Sequence, residues 1–244
     1  MSENEQRRAD TPVRTTEGTG EKRSGGQECP LPGNVPLRGL NFDLEVTKGK
    51  RQLPHWEQDG ACQNVTFRLG DSIPVETAQK WKAERAHWER HNPKPWNEKQ
   101  RQQFDTRFLR RQESWLDQGL GECFLRRPDV RKIVHNSILK FNGARYDVDA
   151  FVIMPNHVHA VLQMRKGFLL AKELKSLKGG SARRCNQLLQ RTGTFWQEES
   201  WDRLVRDAKE LEAYRKYIAE NPAKAGLRED EFTLENYNAL EIYE

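Results

Sequence analysis

Residues 146–164 read YDVDAFVIMPNHVHAVLQM, two apolar runs separated by a Pro-Asn pair. YDVDAFVIM at 146–154 and HVHAVLQM at 157–164 each have the length and composition of a β-strand. A break this short between two strands is typical of a β-hairpin. The stretch therefore predicts two neighbouring antiparallel strands.

The flanking segments predict the other elements of one sheet domain. Alternating apolar residues followed by Gly70-Asp71 predict a strand, and an apolar stripe that begins at Pro128 predicts an amphipathic helix. The predicted order is a strand within 62–69, a helix over 128–141, strands over 146–154 and 157–164, a helix over 168–191 and a short strand within 195–207.

This strand and helix order is that of the split βαβ arrangement. We therefore expect an α+β domain, a ferredoxin-like or RRM-like βαββαβ antiparallel sheet whose first and third strands pair in the middle. An extra C-terminal helix over 208–222 carries a tyrosine and can pack across one sheet face. We expect Gly179-Gly180 to interrupt the preceding helix and Pro222 to stop the last one.

Residues 76–118 form an insertion after the first strand, rich in strong helix formers and broken by prolines. The pattern predicts a helical hairpin. A basic face with interleaved aromatic residues can stack on nucleic-acid bases, but aromatic residues at helical spacing more often pack on the host domain, which is the interpretation we favour. These aromatic residues are Trp81, Trp88, Phe104, Phe108 and Trp115.

Composition sets the domain limits and excludes several classes of protein. Residues 1–50 carry almost no large apolar side chain, so we expect a disordered polar arm, followed by the domain over 51–227 and an acidic C-terminal tail over 228–244. Lys and Arg number 41 against 36 Asp and Glu, a net charge of +5 that permits a polyanionic partner.

The cysteine spacing and the apolar runs give no sign of secretion or of a membrane. No CxxC pair occurs, and no apolar run approaches the ~18 residues that a membrane span needs. The N-terminal sequence lacks the apolar core of a signal peptide. We therefore expect reduced thiols, no membrane partner and a cytoplasmic, nucleoid-associated protein.

His157-Val158-His159 is the most informative triplet for chemistry. Residues i and i+2 of a strand point to the same side, so both imidazoles can face one metal ion. The alternative is two polar residues on a half-exposed strand. Tyr217 and Asn221 are four residues apart and share one helix face.

If that helix face meets the histidine face, Asn221 offers a carbonyl oxygen as a third metal ligand and Tyr217 lies beside the metal. Such a site leaves room for a phosphate, and the phenol can attack phosphorus to give a phosphotyrosine. Tyr214, one turn earlier, is the alternative nucleophile. A merely packing role for Tyr217 would leave the pattern of His157, His159 and Asn221 unexplained.

Three segments together resemble a known family, the REP-associated tyrosine transposases, which are related to the single-tyrosine HUH transposases of insertion sequences. The resemblance covers roughly 53–227, although the 76–118 insertion is long beside compact members. The segments are LPHWEQDGACQNVTFRLGDS at 53–72, VIMPNHVHAVLQM at 152–164 and FWQEESWDRLVRDAKELEAYRKYIAENPAKAGL at 195–227.

The resemblance implies a metal-dependent endonuclease and strand transferase that cuts single-stranded DNA near hairpins such as REP elements, using Mg²⁺ or Mn²⁺. It implies that His157, His159 and Asn221 hold the metal and that Tyr217 is the nucleophile. Tyr217 would be joined to the 5′ phosphate, with release of a 3′ hydroxyl. The protein would act in DNA transposition or recombination as a monomer or a homodimer.

Two other functions stay open from the sequence. One is a catalytically silent DNA-binding module domesticated from a transposase. The other is a replication-initiator nickase that uses the same HUH site.

Overall fold

The computed structural model describes residues 35–41, 47–49 and 55–241. Most of the predicted N-terminal arm, residues 1–34, 42–46 and 50, lies outside the described residues.

The described chain holds nine strands and six α-helices. A π-helical turn, Asp105–Leu109, joins two of the helices. In chain order the elements are β1 (Val35–Pro36), β2 (Thr47–Gly49), β3 (His55–Glu57), β4 (Cys62–Arg68), α1 (Val75–His91), α2 (Glu98–Phe104), α3 (Arg110–Asp117), α4 (Pro128–Leu139), β5 (Tyr146–Ile153), β6 (His157–Met164), α5 (Leu170–Leu188), β7 (Trp201–Leu204), α6 (Ala208–Lys224), β8 (Thr233–Asn236) and β9 (Leu240–Glu241).

The main sheet has five strands in the order β7-β4-β6-β5-β8, and every neighbouring pair is antiparallel. The first four of these strands give the order expected for a ferredoxin-like sheet, with β4 and β6 paired in the middle. The predicted α+β class, the strand order and the β5–β6 hairpin are confirmed.

The two faces of the sheet are covered by different helices. On one face α4 and α5 pack on residues such as Val158 and Leu162 of β6. On the other face Leu211 and Ile218 of α6 pack with Val161. Because side chains alternate along a strand, His157 and His159 share the side of Val161 and face α6.

Two predicted helix breaks, an interruption at Gly179-Gly180 and a stop at Pro222, are wrong. Helix α5 runs without interruption through Gly179 and Gly180, since its leucines pack on the sheet while the glycines lie in open space. The loss of about 1 kcal/mol for each helical glycine is outweighed by this packing. Helix α6 continues through Pro222 to Lys224, although proline has no N–H to donate to the Ile218 carbonyl. Pro222 is buried, and the Ala225 and Leu227 amides donate to the Asn221 and Pro222 carbonyls at the helix end.

Segments beyond the predicted domain limits contribute strands. In the acidic segment after 227, β8 pairs with the edge strand β5, and β9 pairs in parallel with β1. The predicted limits themselves stay predictions.

The insertion is a helical hairpin, as predicted, and its aromatic side chains pack on one another. Trp81 and Trp88 of α1 are buried against Phe104 and Phe108. Trp201 of β7 joins this cluster, with its ring 6.3 Å from that of Phe104. The packing interpretation is therefore confirmed over base stacking for the buried rings.

Cys62, Cys123 and Cys185 are free thiols. None of the helices among the described residues combines the length and the apolar character that crossing a membrane requires.

Candidate active site

The two histidines of β6 lie side by side on the α6 face of the sheet. Their ring centroids are 4.7 Å apart and their planes are nearly perpendicular. His157 lies opposite Arg68 and His159 opposite Thr66 in the neighbouring strand β4. Both imidazoles are buried, with exposed fractions of 1% and 2%.

Each imidazole uses its Nδ1 atom for a hydrogen bond. His157 Nδ1 lies 2.7 Å from Asn156 Oδ1, and His159 Nδ1 lies 2.7 Å from Thr66 Oγ1. Asn156 Nδ2 donates to the Leu120 carbonyl, which orients its oxygen toward His157. His157 Nδ1 is therefore the donor, and its Nε2 is left as an acceptor that is buried without a hydrogen-bond partner.

Burial favours the neutral form of both rings. It lowers the pKa of His159 to about 3. The pKa of His157 lies well below its ordinary value because of burial and, to a smaller degree, because of the neighbouring His159. Neutral imidazole is the form that binds metal ions, so both side chains are ready for this role at neutral pH.

Tyr217 of α6 packs on His159. Its ring centroid is 5.1 Å from that of His159, with the planes at 86°. Lys224 Nζ lies 5.6 Å from the centre of the tyrosine ring. The helix thus brings the predicted nucleophile to the predicted ligands, as the sequence spacing required.

Asn221 lies one helical turn after Tyr217 and is 2% exposed. Its Nδ2 atom is buried without a hydrogen-bond partner. The amide nevertheless lies close enough to the Tyr217 hydroxyl to lower the pKa of that phenol. Burial is the larger effect, and it raises the pKa of Tyr217 above its ordinary value.

Tyr214 occupies a different environment in the same cavity. Its pKa is raised by burial, and the charges that act on its hydroxyl are mainly those of Arg203 and Glu210. His159 contacts the ring of Tyr217. The two tyrosines therefore differ in their neighbours, with the His159 imidazole beside Tyr217 and the Arg203 and Glu210 charges near Tyr214.

A cavity of about 330 Å³ opens beside Tyr217 and His159. The sheet and α6 form one wall, and Gln112, Glu113 and Leu116 of the insertion form the other. A second cavity of about 490 Å³ lies next to it. Thr66, Gln112 and Trp201 line both cavities, and His159 lines the smaller one.

The sequence did not single out Asn156, Thr66 or Glu113. Asn156 directly precedes the histidine motif, so its position was a usable signal for an imidazole partner. Thr66 and Glu113 are distant in sequence, and only the strand pairing and the docking of the insertion bring them to the site.

The donor set fits a divalent metal ion. No group of three or more His, Cys, Asp or Glu side chains in the described part of the chain could hold a metal by itself. The two imidazoles and the amide oxygen of Asn221 form a mixed set that suits first-row divalent ions, and the partnerless Nε2 of His157 is the kind of atom that a metal satisfies.

The fold and the site define a class: a ferredoxin-like domain with two histidines on the central strand and a tyrosine on the following helix. The family model for IS200-like transposases matches residues 126–221, a segment that holds both histidines, Tyr217 and Asn221. Residues 126–221 are thus similar to IS200-like transposases, in agreement with the resemblance predicted from the sequence. This similarity supports a transposase role, and with it a DNA-processing enzyme that binds DNA.

One solved structure similar to this chain is described as the REP-associated tyrosine transposase bound to a REP hairpin. The TM-score is 0.38 at 14% sequence identity, and the match covers 75% of this chain and 76% of that chain. No curated protein matches the chain.

Proposed function

We propose that the protein is a metal-dependent endonuclease and strand transferase for single-stranded DNA, with Tyr217 as its nucleophile. The observation that carries the proposal is the packing of the Tyr217 ring on His159 in the wall of a cavity, with the His157 ring 4.7 Å from that of His159 and Asn221 one helical turn after Tyr217. A phenol beside two imidazoles and an amide supports the proposal, because these are atoms that can bind a divalent metal ion. The family match over the same residues supports it.

His157 Nε2, His159 Nε2 and Asn221 Oδ1 would hold Mg²⁺ or Mn²⁺. When bound, such an ion polarises the scissile phosphate and offsets the charge that develops on it. Asn156 and Thr66 keep the two imidazoles in the orientation that leaves Nε2 available.

The covalent step is a transesterification. The Tyr217 oxygen forms a bond to phosphorus as the bond from phosphorus to the 3′ oxygen breaks, leaving a 5′-phosphotyrosine and a 3′ hydroxyl. Attack of a 3′ hydroxyl on that phosphotyrosine restores the phosphodiester and the free phenol. The intermediate retains the energy of the cut bond, which suits strand transfer in transposition or recombination.

The proposed substrate is single-stranded DNA beside a hairpin of the REP type, as the three sequence segments imply. With DNA as its substrate, the protein would act on the nucleoid in the cytoplasm. It would do so as a monomer or a homodimer.

The test is adduct formation on 3′-labelled single-stranded hairpin DNA with Mn²⁺, followed by denaturing protein gels. We expect a labelled band for the wild type and for Tyr214→Phe, and none for Tyr217→Phe or for wild type in EDTA. Tyr214→Phe is the matched control, because it removes a hydroxyl from the same helix and the same cavity.

Two results would overturn the proposal. A stable adduct of Tyr217→Phe would exclude this nucleophile. A wild type that binds hairpin DNA but forms no adduct with either metal over many sequences would favour the silent DNA-binding module.

A further inference from the structure

The insertion brings a carboxylate to the candidate nucleophile. Glu113 of α3 and Tyr217 of α6 line the same cavity, together with His159. The two side chains are close enough that the phenol lowers the pKa of Glu113 and the carboxylate raises that of Tyr217. A carboxylate thus lies beside the phenol that would attack phosphorus.

The backbone of the insertion explains how Glu113 reaches this position. The π-helical turn Asp105–Leu109 adds one residue between α2 and α3, which rotates the following helix face by about 100°. Phe104 and Phe108 pack in the aromatic cluster, whereas Glu113 and Leu116 of α3 line the cavity.

The surroundings of Glu113 suit a proton acceptor. Burial raises its pKa above that of an exposed glutamate, and Asp117 and Asp105 add to this effect while Arg110 opposes it. A carboxylate of raised pKa takes a proton more readily than an exposed one. Asn221, the other side chain whose proximity changes the pKa of Tyr217 through its amide, cannot act as a base.

We propose that Glu113 is the general base for Tyr217. Its carboxylate holds the phenolic hydrogen and takes the proton as the Tyr217 oxygen bonds to phosphorus, while the departing 3′ oxygen takes a proton from solvent. In the return step Glu113 gives the proton back to the Tyr217 oxygen. This role rests on the proposed function, and it assigns the insertion a part in the chemistry.

The first experiment measures single-turnover cleavage of 3′-labelled hairpin DNA by wild type, Glu113→Gln, Glu113→Asp and Glu98→Gln. General base catalysis contributes roughly 10²–10⁴-fold, so we expect Glu113→Gln to slow cleavage by about that factor with unchanged DNA binding. Glu113→Asp keeps the carboxylate and recovers part of the rate. Glu98→Gln, an exposed glutamate of the same insertion, is the control and cleaves like the wild type.

The second experiment separates a base from a structural contact. Replacing Tyr217 by 3,5-difluorotyrosine gives a more acidic phenol, which depends less on a base. We expect the loss caused by Glu113→Gln to shrink markedly in this background. A structural role would leave that loss unchanged.

Cleavage by Glu113→Gln at the wild-type rate would overturn the assignment, as would a loss that fluorination does not reduce. Failure of the wild type to form any adduct is a different result. It would overturn the proposed function on which the assignment rests.

Discussion

The sheet domain and the helical insertion are held together in different ways. In the sheet, β4 and β5 are both hydrogen-bonded along β6, and each face carries a cluster of buried apolar side chains. The insertion contacts the sheet through side chains, chiefly an aromatic cluster and ion pairs such as Arg203–Asp105 at 3.8 Å.

Because of this difference, the sheet domain positions the site residues, whereas the insertion encloses the site. The two histidines and Tyr217 belong to elements that the core makes rigid, and they lie within the segment that matches the transposase family. The insertion lies outside that segment and closes the other side of the cavity. We therefore expect changes in the core to unfold the protein and changes in the insertion to alter the site.

The largest effect is expected at Asp149. It is fully buried at a bulge in β5, where it accepts hydrogen bonds from Arg215 of α6 at 2.6 and 2.8 Å and from the Leu240 amide at 3.0 Å. Asp149→Ala leaves the Arg215 charge without its buried partner, and we expect a loss of roughly 3–5 kcal/mol in the free energy of unfolding. Chemical denaturation measures it.

Glu212→Ala is the control for that change, because it removes the exposed partner of Arg215 and should cost less than about 1 kcal/mol. Equal losses for the two variants would contradict the anchoring of α6 by Asp149.

Phe108→Ala tests the insertion. The ring is fully buried in the aromatic cluster, and its removal should destabilise the insertion by about 3 kcal/mol. We expect faster amide hydrogen exchange over 75–118, with little change in β4–β6, and slower cleavage because Glu113 is no longer held. An equal loss of protection in β6 would show that the two regions unfold as one.

Thr66→Val removes the hydroxyl that holds His159 Nδ1 while keeping the shape of the side chain. We expect a loss of about 1–3 kcal/mol in stability and roughly 10–100-fold weaker binding of Mn²⁺. Titration of Mn²⁺ by calorimetry measures the second effect, with the exposed Thr106→Val as control. Unchanged Mn²⁺ affinity would exclude His159 as a ligand oriented by Thr66.

The smallest effect is expected at Glu84, whose carboxylate pairs with Arg107 at 2.7 Å and Arg111 at 2.6 Å across the hairpin. These arginines lower the pKa of Glu84. The pairs are exposed, so Glu84→Gln should cost less than about 1 kcal/mol, and salt should reduce the difference further. Urea denaturation at low and high salt checks it, and a larger, salt-independent loss would show a structural role.

Much of the sheet could be predicted because its signals are local. The alternation around Val65 and the hairpin at 146–164 are properties of short segments, and the strand order then follows from topology. The bulge at Asp149 could not be predicted in this way. It is defined only by the pairing of β5 with β6, and it changes which residues of β5 face α6.

The same distinction between local and long-range signals applies to the candidate site. The spacing of His157 with His159, and of Tyr217 with Asn221, is fixed by strand and helix periodicity, so the sequence could pair them. Glu113 could not be found, because its position depends on a π-helical turn and on how the insertion docks. Neither has a recognisable signature in a single sequence.

The most direct test of the central claim is to identify the amino acid that carries DNA after the reaction. Wild-type protein is incubated with hairpin DNA and Mn²⁺, digested with nuclease and protease, and analysed by mass spectrometry. The account predicts a 5′-phosphonucleotide on the phenolic oxygen of Tyr217. A nucleotide on Tyr214, on any other residue, or on none would contradict it.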